Sequence, residues 1–144
     1  MIGNLTIPVL NRFDVLRECV ASIDCQIDRL MIINNSADPS KEAVISEMIA
    51  SQPMVTAHRV ITPIVNMGVA ASWNFAIRQF RDDDVILIAN ADTTFAGGDL
   101  IELWNTADHD QPRWVGVNGD WRIMALNRAC IDVVGMFDEN YHPI

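Results

Sequence analysis

VILIANADTTF, residues 85–95, is the stretch on which the reading of the chain turns. Its first half, VILIA, is apolar at every position. A run that short and that uniform reads as a strand buried on both faces, as in parallel sheets. It then meets Asn90, Ala91 and Asp92, followed by two threonines. A carboxylate beside a buried strand end needs a partner, because burying a charge unpaired is expensive. Asp92 therefore either caps a turn or holds something the protein binds.

The segments before it alternate in the same way. NLTIPVL and RLMII read as buried strands, and VTAHRVIT as a third. Between them the apolar residues recur at helical spacing. Leu16, Cys19, Val20 and Ile23 mark one helix; Val44, Ile45, Met48 and Ile49 mark a second. Asp38-Pro39 opens the second, with Asp as N-cap and Pro at the first helical position. Val69, Trp73, Ala76, Ile77 and Phe80 mark a third, and Leu100, Leu103, Trp104 and Ala107 a fourth. Strand and helix alternating in this way predict an α/β fold: a mostly parallel, Rossmann-like sheet with helices on both faces. Beyond residue 111 the chain is richer in Gly and Trp. There one or two strands, a short helix over 128–134 and a loop are expected.

In open α/β sheets ligands bind at the carboxyl ends of the strands. Polar residues collect there: Asn11 and Arg12, then 34–38, Asn66, and finally Asn90 and Asp92. A core needs none of them.

Composition narrows the chemistry. The chain has 144 residues, half of them hydrophobic, and a formal charge of −9. One domain is expected. A negative field of that size argues against nucleic acid and anionic membranes as partners. A small anionic ligand remains open, since a cation or backbone N–H groups can dominate locally. Cys19, Cys25 and Cys130 form no CxxC pair and read as buried, reduced thiols of a cytoplasmic protein. No apolar run is long enough for a membrane span. His58, His109 and His142 lie far apart and form no metal-binding pattern. There is no GxGxxG after the first strand and no P-loop. NADTT differs from the DxDxT of haloacid-dehalogenase-like phosphatases where it matters, because Asn90 is a poor nucleophile.

Five segments occur in a telling order: TIPVLNRFDVLRECVASI, IINNSAD, VNMGVAASWNFAI, ILIANADTTF and MALNRACIDVVGMFDENYHP. Together they resemble family 2-like glycosyltransferases of the GT-A fold, which transfer sugars from nucleotide diphosphates. The resemblance covers nearly the whole chain. It implies that Pro8, Val9, Leu10 and Asn11 form the loop that packs on the nucleotide. Asn34, Asn35 and Ser36 stand where the family has a DNxSxD-like stretch, with Asn34 in place of the first acid. Asn66, Gly68 and Asn74 match an NxGxxxxxN stretch, although Gly68 and Asn74 also suit a helix start and a helix face. Asn90, Ala91 and Asp92 resemble the DxD-type motif, with Asn90 replacing the first acid. The motif implies a divalent metal, Mn²⁺ or Mg²⁺, with Asp92 as its ligand.

The implied activity is inverting transfer from a UDP or dTDP sugar to an acceptor hydroxyl on a glycan, glycolipid or protein. Residues 1–111 are then the nucleotide-sugar-binding part and 112–144 the start of the acceptor-side part, within one domain. The family's base is a carboxylate in an acidic pair beyond the FDE element. Here Phe137-Asp138-Glu139 is followed only by NYHPI, so a chain cut short of its base is expected. Three readings stay open: a donor-binding part with little turnover, an enzyme using Asp138 or Glu139 as base, or a nucleotide-sugar-binding module without chemistry. A homodimer is also open, through apolar surface bared at such an end. Trp73 and Trp104 lie on apolar stripes and are assigned to the core. Trp114 and Trp121, flanking Gly116 and Gly119, are candidates for an acceptor contact.

Overall fold

The computed structural model describes residues 1–117 and 120–140. Gly119 and His142 lie outside the described residues. The strands are β1 (Ile2–Val9), β2 (Ile27–Asn34), β3 (Val55–Ile61), β4 (Val85–Ala89), β5 (Trp114–Val117) and β6 (Asp120–Asn127). The helices are α1 (Phe13–Ala21), α2 (Glu42–Ala50), α3 (Gly68–Gln79), α4 (Asp99–Ala107) and α5 (Arg128–Val134). The strands form one sheet in the order β3-β2-β1-β4-β6-β5. β1 to β4 run parallel; β6 is antiparallel to β4, and β5 to β6.

The apolar run of β4 explains this layering. Val85, Leu87 and Ala89 face one core, with Leu5, Ile7 and Val9 of β1 and the buried stripes of α1, α2 and α4. Ile86 and Ile88 face the other, with Met31, Ile33, Met124 and Leu126 and with Ala76, Ile77 and Ile131 of α3 and α5. A strand buried on both faces has no use for alternation, hence five apolar residues in a row. The edge strand β3 is different. Its residues 56–59 are exposed, and three of them are Thr56, His58 and Arg59, as suits an edge that must not pair with other chains.

Some expected faces shift. Val44 is 42% exposed, because α2 turns only Ile45, Met48 and Ile49 to the core. A single 3-10 turn (Pro39–Lys41) precedes that helix, capped by Asp38, which accepts from the Ser40 N–H at 3.0 Å. Val69 is 43% exposed, because the first turn of α3 overhangs a cleft instead of the core. Trp104 packs partly buried over Gly3, where a Cβ would come within 3.1 Å of its ring.

Parallel pairing joins β1 to β4 at Thr6 and Ile88. The amino end of this seam is tied by a side chain. Asn4 is fully buried; its Nδ2 donates to Val85 O (2.8 Å) and Asp83 Oδ2 (2.6 Å), and its Oδ1 accepts from Leu87 N–H (3.1 Å). Asp83 also takes Arg29 at 2.6 Å. Asn4→Ala is expected to lower the unfolding free energy in urea by about 1–3 kcal/mol, since it strands buried backbone groups. A loss below about 0.5 kcal/mol, typical of surface positions, would contradict this role.

Candidate functional site

From β1 the chain winds outward to β2 and β3; from β4 it passes to the β6–β5 side. At that reversal the carboxyl tips of β1 and β4 bound a cleft of about 620 Å³, within the range of small-molecule sites. The β1 tip supplies Pro8, Val9, Leu10 and Asn11, and β4 supplies Asn90, Ala91 and Asp92. Asn35, Asn66 and Gly68 complete the wall expected from the sequence. Arg12, Val15, Met67, Val69 and Trp73 also line it and were not in the expected set. Arg12 was recognisable as a polar residue at a strand end. Trp73 was not, because its helical spacing is that of a core residue.

Hydrogen bonds hold these pieces in place. Asn35 N–H donates to Val9 O at 2.8 Å, tying the β2 tip to the β1 loop. Its buried side chain donates to Ser72 Oγ (2.8 Å) and accepts from Met67 N–H (3.3 Å), which fixes the start of α3 against the cleft. Asn66 Oδ1 accepts from Gly68 N–H at 2.9 Å. Gly68 has φ +78°, in the left-handed region that a side chain disfavours. Gly68→Ala is expected to lower stability by about 1 kcal/mol by thermal melt and to disturb this wall of the cleft.

Three expected residues are not in the cleft wall. Asn34 is fully buried and donates to Asp38 O (3.0 Å) and Thr62 Oγ1 (3.2 Å). Ser36 donates to Asn34 Oδ1 at 2.6 Å, so both organise the loop after β2. Asn74 is buried in α3 and clamps the backbone of Phe137, donating to its O and accepting from its N–H, both at 2.9 Å. A carboxamide carries both donor and acceptor, so it can serve a backbone in this way without touching ligand.

The turn after β4 closes through its backbone. Thr93 N–H donates to Asn90 O at 3.2 Å, and Asn90 N–H to Arg122 O at 2.7 Å. Asp92 is exposed, and its carboxylate takes no hydrogen bond from the described residues. Capping therefore does not account for it. A second cavity, of about 350 Å³, meets the cleft at Asp92 and adds Thr93, Thr94, Asp99 and Arg122. Among the described residues no three His, Cys, Asp or Glu side chains converge as a metal cage. The donor set is one carboxylate and the carboxamide oxygen of Asn90. That set fits Mg²⁺ or Mn²⁺ only when substrate phosphates and water supply the other ligands, a common arrangement for these ions. Beneath the turn, burial pushes the Cys19 thiol up to about 12, which makes it packing and not a nucleophile.

A family model for glycosyl transferase family 2 matches residues 5–129. The chain belongs to glycosyl transferase family 2. No curated protein matches it. Among solved structures, the crystal structure of S. aureus TarS 1-349 aligns over 99% of this chain with a TM-score of 0.68 and 14% identity. This likeness is one of fold, and the mostly parallel sheet covered on both faces is the GT-A fold. The family 2 chain spans about half of that TarS chain, 52% of its length. No helix among the described residues is long and apolar enough to cross a membrane.

Asp138 and Glu139 lie in the loop that Asn74 of α3 clamps and not in the cleft wall. Asp138 Oδ1 accepts from Asn140 N–H at 2.9 Å within its own turn. Glu139 accepts from Asn74 Nδ2 (2.8 Å) and Arg78 (3.3 Å), and the Asn74 bond, aided by Arg78, holds its carboxyl below the usual range. A lowered folded value means that this tie is present above the ordinary glutamate pKa of about 4.3 and is lost as pH falls through the lowered one. Trp73 touches Phe137 edge-on at 4.9 Å, so tryptophan fluorescence should report an acid transition of the 137–139 loop. Glu139→Gln should abolish that transition, and an unchanged one would assign it elsewhere.

Proposed function

We propose that this chain binds a nucleotide-diphosphate sugar of the UDP or dTDP type in the cleft and transfers the sugar, with inversion, to an acceptor hydroxyl. The observation that carries the reading is that the 8–11 loop, the 66–68 turn and Asn90-Ala91-Asp92 wall a single cleft in a family 2 chain. Val9 and Leu10 offer apolar surface to the nucleotide and Asn11 offers hydrogen bonds, while Asn35 holds the start of α3 against the cleft. The 34–38 loop shapes that end from behind, through Asn34 and Ser36. Asp92, with Asn90, would hold a divalent cation, which would supply charge neutralisation for the diphosphate leaving group. Residues 1–111 supply these groups, and 112–144 begin the acceptor-side part.

Asp138 or Glu139 takes the proton of the attacking hydroxyl; Asp138 Oδ1 accepts from Asn140 N–H at 2.9 Å and from its Nδ2 at 3.0 Å. Glu139 is engaged by Asn74 and Arg78, which stabilise its anion and reduce its basicity. A second reading is a nucleotide-sugar-binding module without turnover. It is favoured by one observation: neither carboxylate lines the cleft.

Thermal melts with UDP, dTDP, GDP and ADP, each with and without Mn²⁺, test the donor site. One pyrimidine diphosphate should raise the melting temperature by several degrees only with Mn²⁺; a ligand at a hundred times its Kd adds about 2.7 kcal/mol. Asp92→Ala should remove the Mn²⁺-dependent shift and leave the ligand-free melt unchanged. An equal shift in the variant would refute the metal role. Release of free nucleotide from a nucleotide sugar in the presence of acceptor separates the enzyme from the binding module.

A further inference from the structure

Trp73 of α3 meets Trp114 of β5 and Trp121 of β6 beside the cleft. Trp73 lines the cleft from α3. Trp121 stacks on it, with centroids 6.4 Å apart and planes within 8°. Trp114 abuts Trp121 at 4.8 Å with a 42° tilt. The register shift between Gly116 and Val117 breaks the alternation of the β5–β6 hairpin, where Trp114 and Trp121 come together. Trp121 remains 55% exposed and Trp114 38%. Trp114 turns its indole N–H inward to Met124 Sδ at 3.5 Å. Trp73 finds no partner for its buried indole N–H among the described residues, so ring contacts hold it.

We propose that Trp121 and Trp114 are a stacking platform for a pyranose ring, which makes the acceptor a carbohydrate. Exposed indoles side by side are unfavourable unless something covers them. Their faces are electron-rich and attract polarised C–H groups. A pyranose presents such a C–H face while its hydroxyls stay in water. A neutral ring also suits a chain of charge −9, which repels polyanions. Position selects the acceptor over the donor, and this step rests on the donor reading above. The nucleotide loops sit on β1 and β2, the diphosphate group at the β4 tip, and the platform on the far side, on β6 and β5. Through Trp73 the platform is continuous with the cleft.

The test is a titration followed by the indole ¹H–¹⁵N signals, with neutral oligosaccharides of glucose, galactose and N-acetylglucosamine at millimolar concentration as probes. A parallel titration uses UDP or dTDP with Mn²⁺. The Trp121 and Trp114 signals should move with at least one glycan, while Trp104, packed over Gly3, stays still. Trp121→Ala should weaken glycan binding at least tenfold and leave the nucleotide titration unchanged. Trp121→Phe, which keeps a ring, should retain part of the affinity and guards against a folding defect. If no glycan moves Trp121 while nucleotide binds, the platform is overturned. It is equally overturned if the signals respond only to protein concentration, which would assign the patch to a second copy of the chain. If glycans bind and no nucleotide does, the platform stands and the donor reading falls.

Discussion

The seam between β1 and β4 is the constraint on which the rest depends. Both strands must sit side by side in the middle of the sheet, yet their carboxyl tips must part to leave a cleft. Asn4 meets this demand from the other end. Its one carboxamide serves Val85, Leu87 and Asp83, and Asp83 in turn receives Arg29 from β2. The amino ends of three strands are thereby tied together. The carboxyl ends can then diverge without loss of register, because the apolar rows on both faces of β4 have only one arrangement that buries them all.

The same device recurs wherever the chain leaves the sheet. Asn35 ties the tip of β2 to α3, and Asn74 ties α3 to the 137–139 loop. Asn127 caps α5 by accepting from Cys130 N–H at 2.9 Å and donates to His109 O and Gln111 O at 3.0 and 2.6 Å. Buried backbone groups in loops cannot be left unpaired, and a neutral carboxamide satisfies them without the desolvation penalty of a charge. Exposed polar groups at the same edge behave differently. Asn11, Asn66 and Asp92 face the cleft, and Asp92 has no internal partner among the described residues. Burial with internal satisfaction marks scaffold along this edge, whereas exposure marks the candidate ligands, Asn66 included although its Oδ1 accepts from Gly68 N–H.

For the donor proposed above, an acidic chain would need local compensation for its field. Arg12 stands in the cleft but is held in two bonds by Asp14, at 2.9 and 2.8 Å, and its guanidinium keeps that carboxyl down near about 2. Most of its charge is therefore already matched at neutral pH. In the proposed donor site the burden would then fall on a cation at Asp92 and on N–H donors around the cleft, which would make ionic conditions integral to binding.

Much of the fold was legible in the sequence because burial on two faces leaves a plain record. VILIA could be little other than a central strand, and the helical stripes named the residues that cover it. The carboxyl edge was legible too, since polar residues recur after each strand. What the sequence could not separate was the role of each polar residue there. Asn34 and Asn74 look like ligand contacts by type and spacing, but each also has a partner far along the chain, Thr62 at 28 residues and Phe137 at 63. Trp73 looks like core by period and does pack against the second core, yet it also lines the cleft. A linear pattern records how often a residue turns inward and not what waits there. Strand composition and order of segments were determined by the sequence itself, through propensity and burial. Which asparagine binds itself, which carboxylate is left over, and which tryptophans meet were decided only when long-range contacts closed.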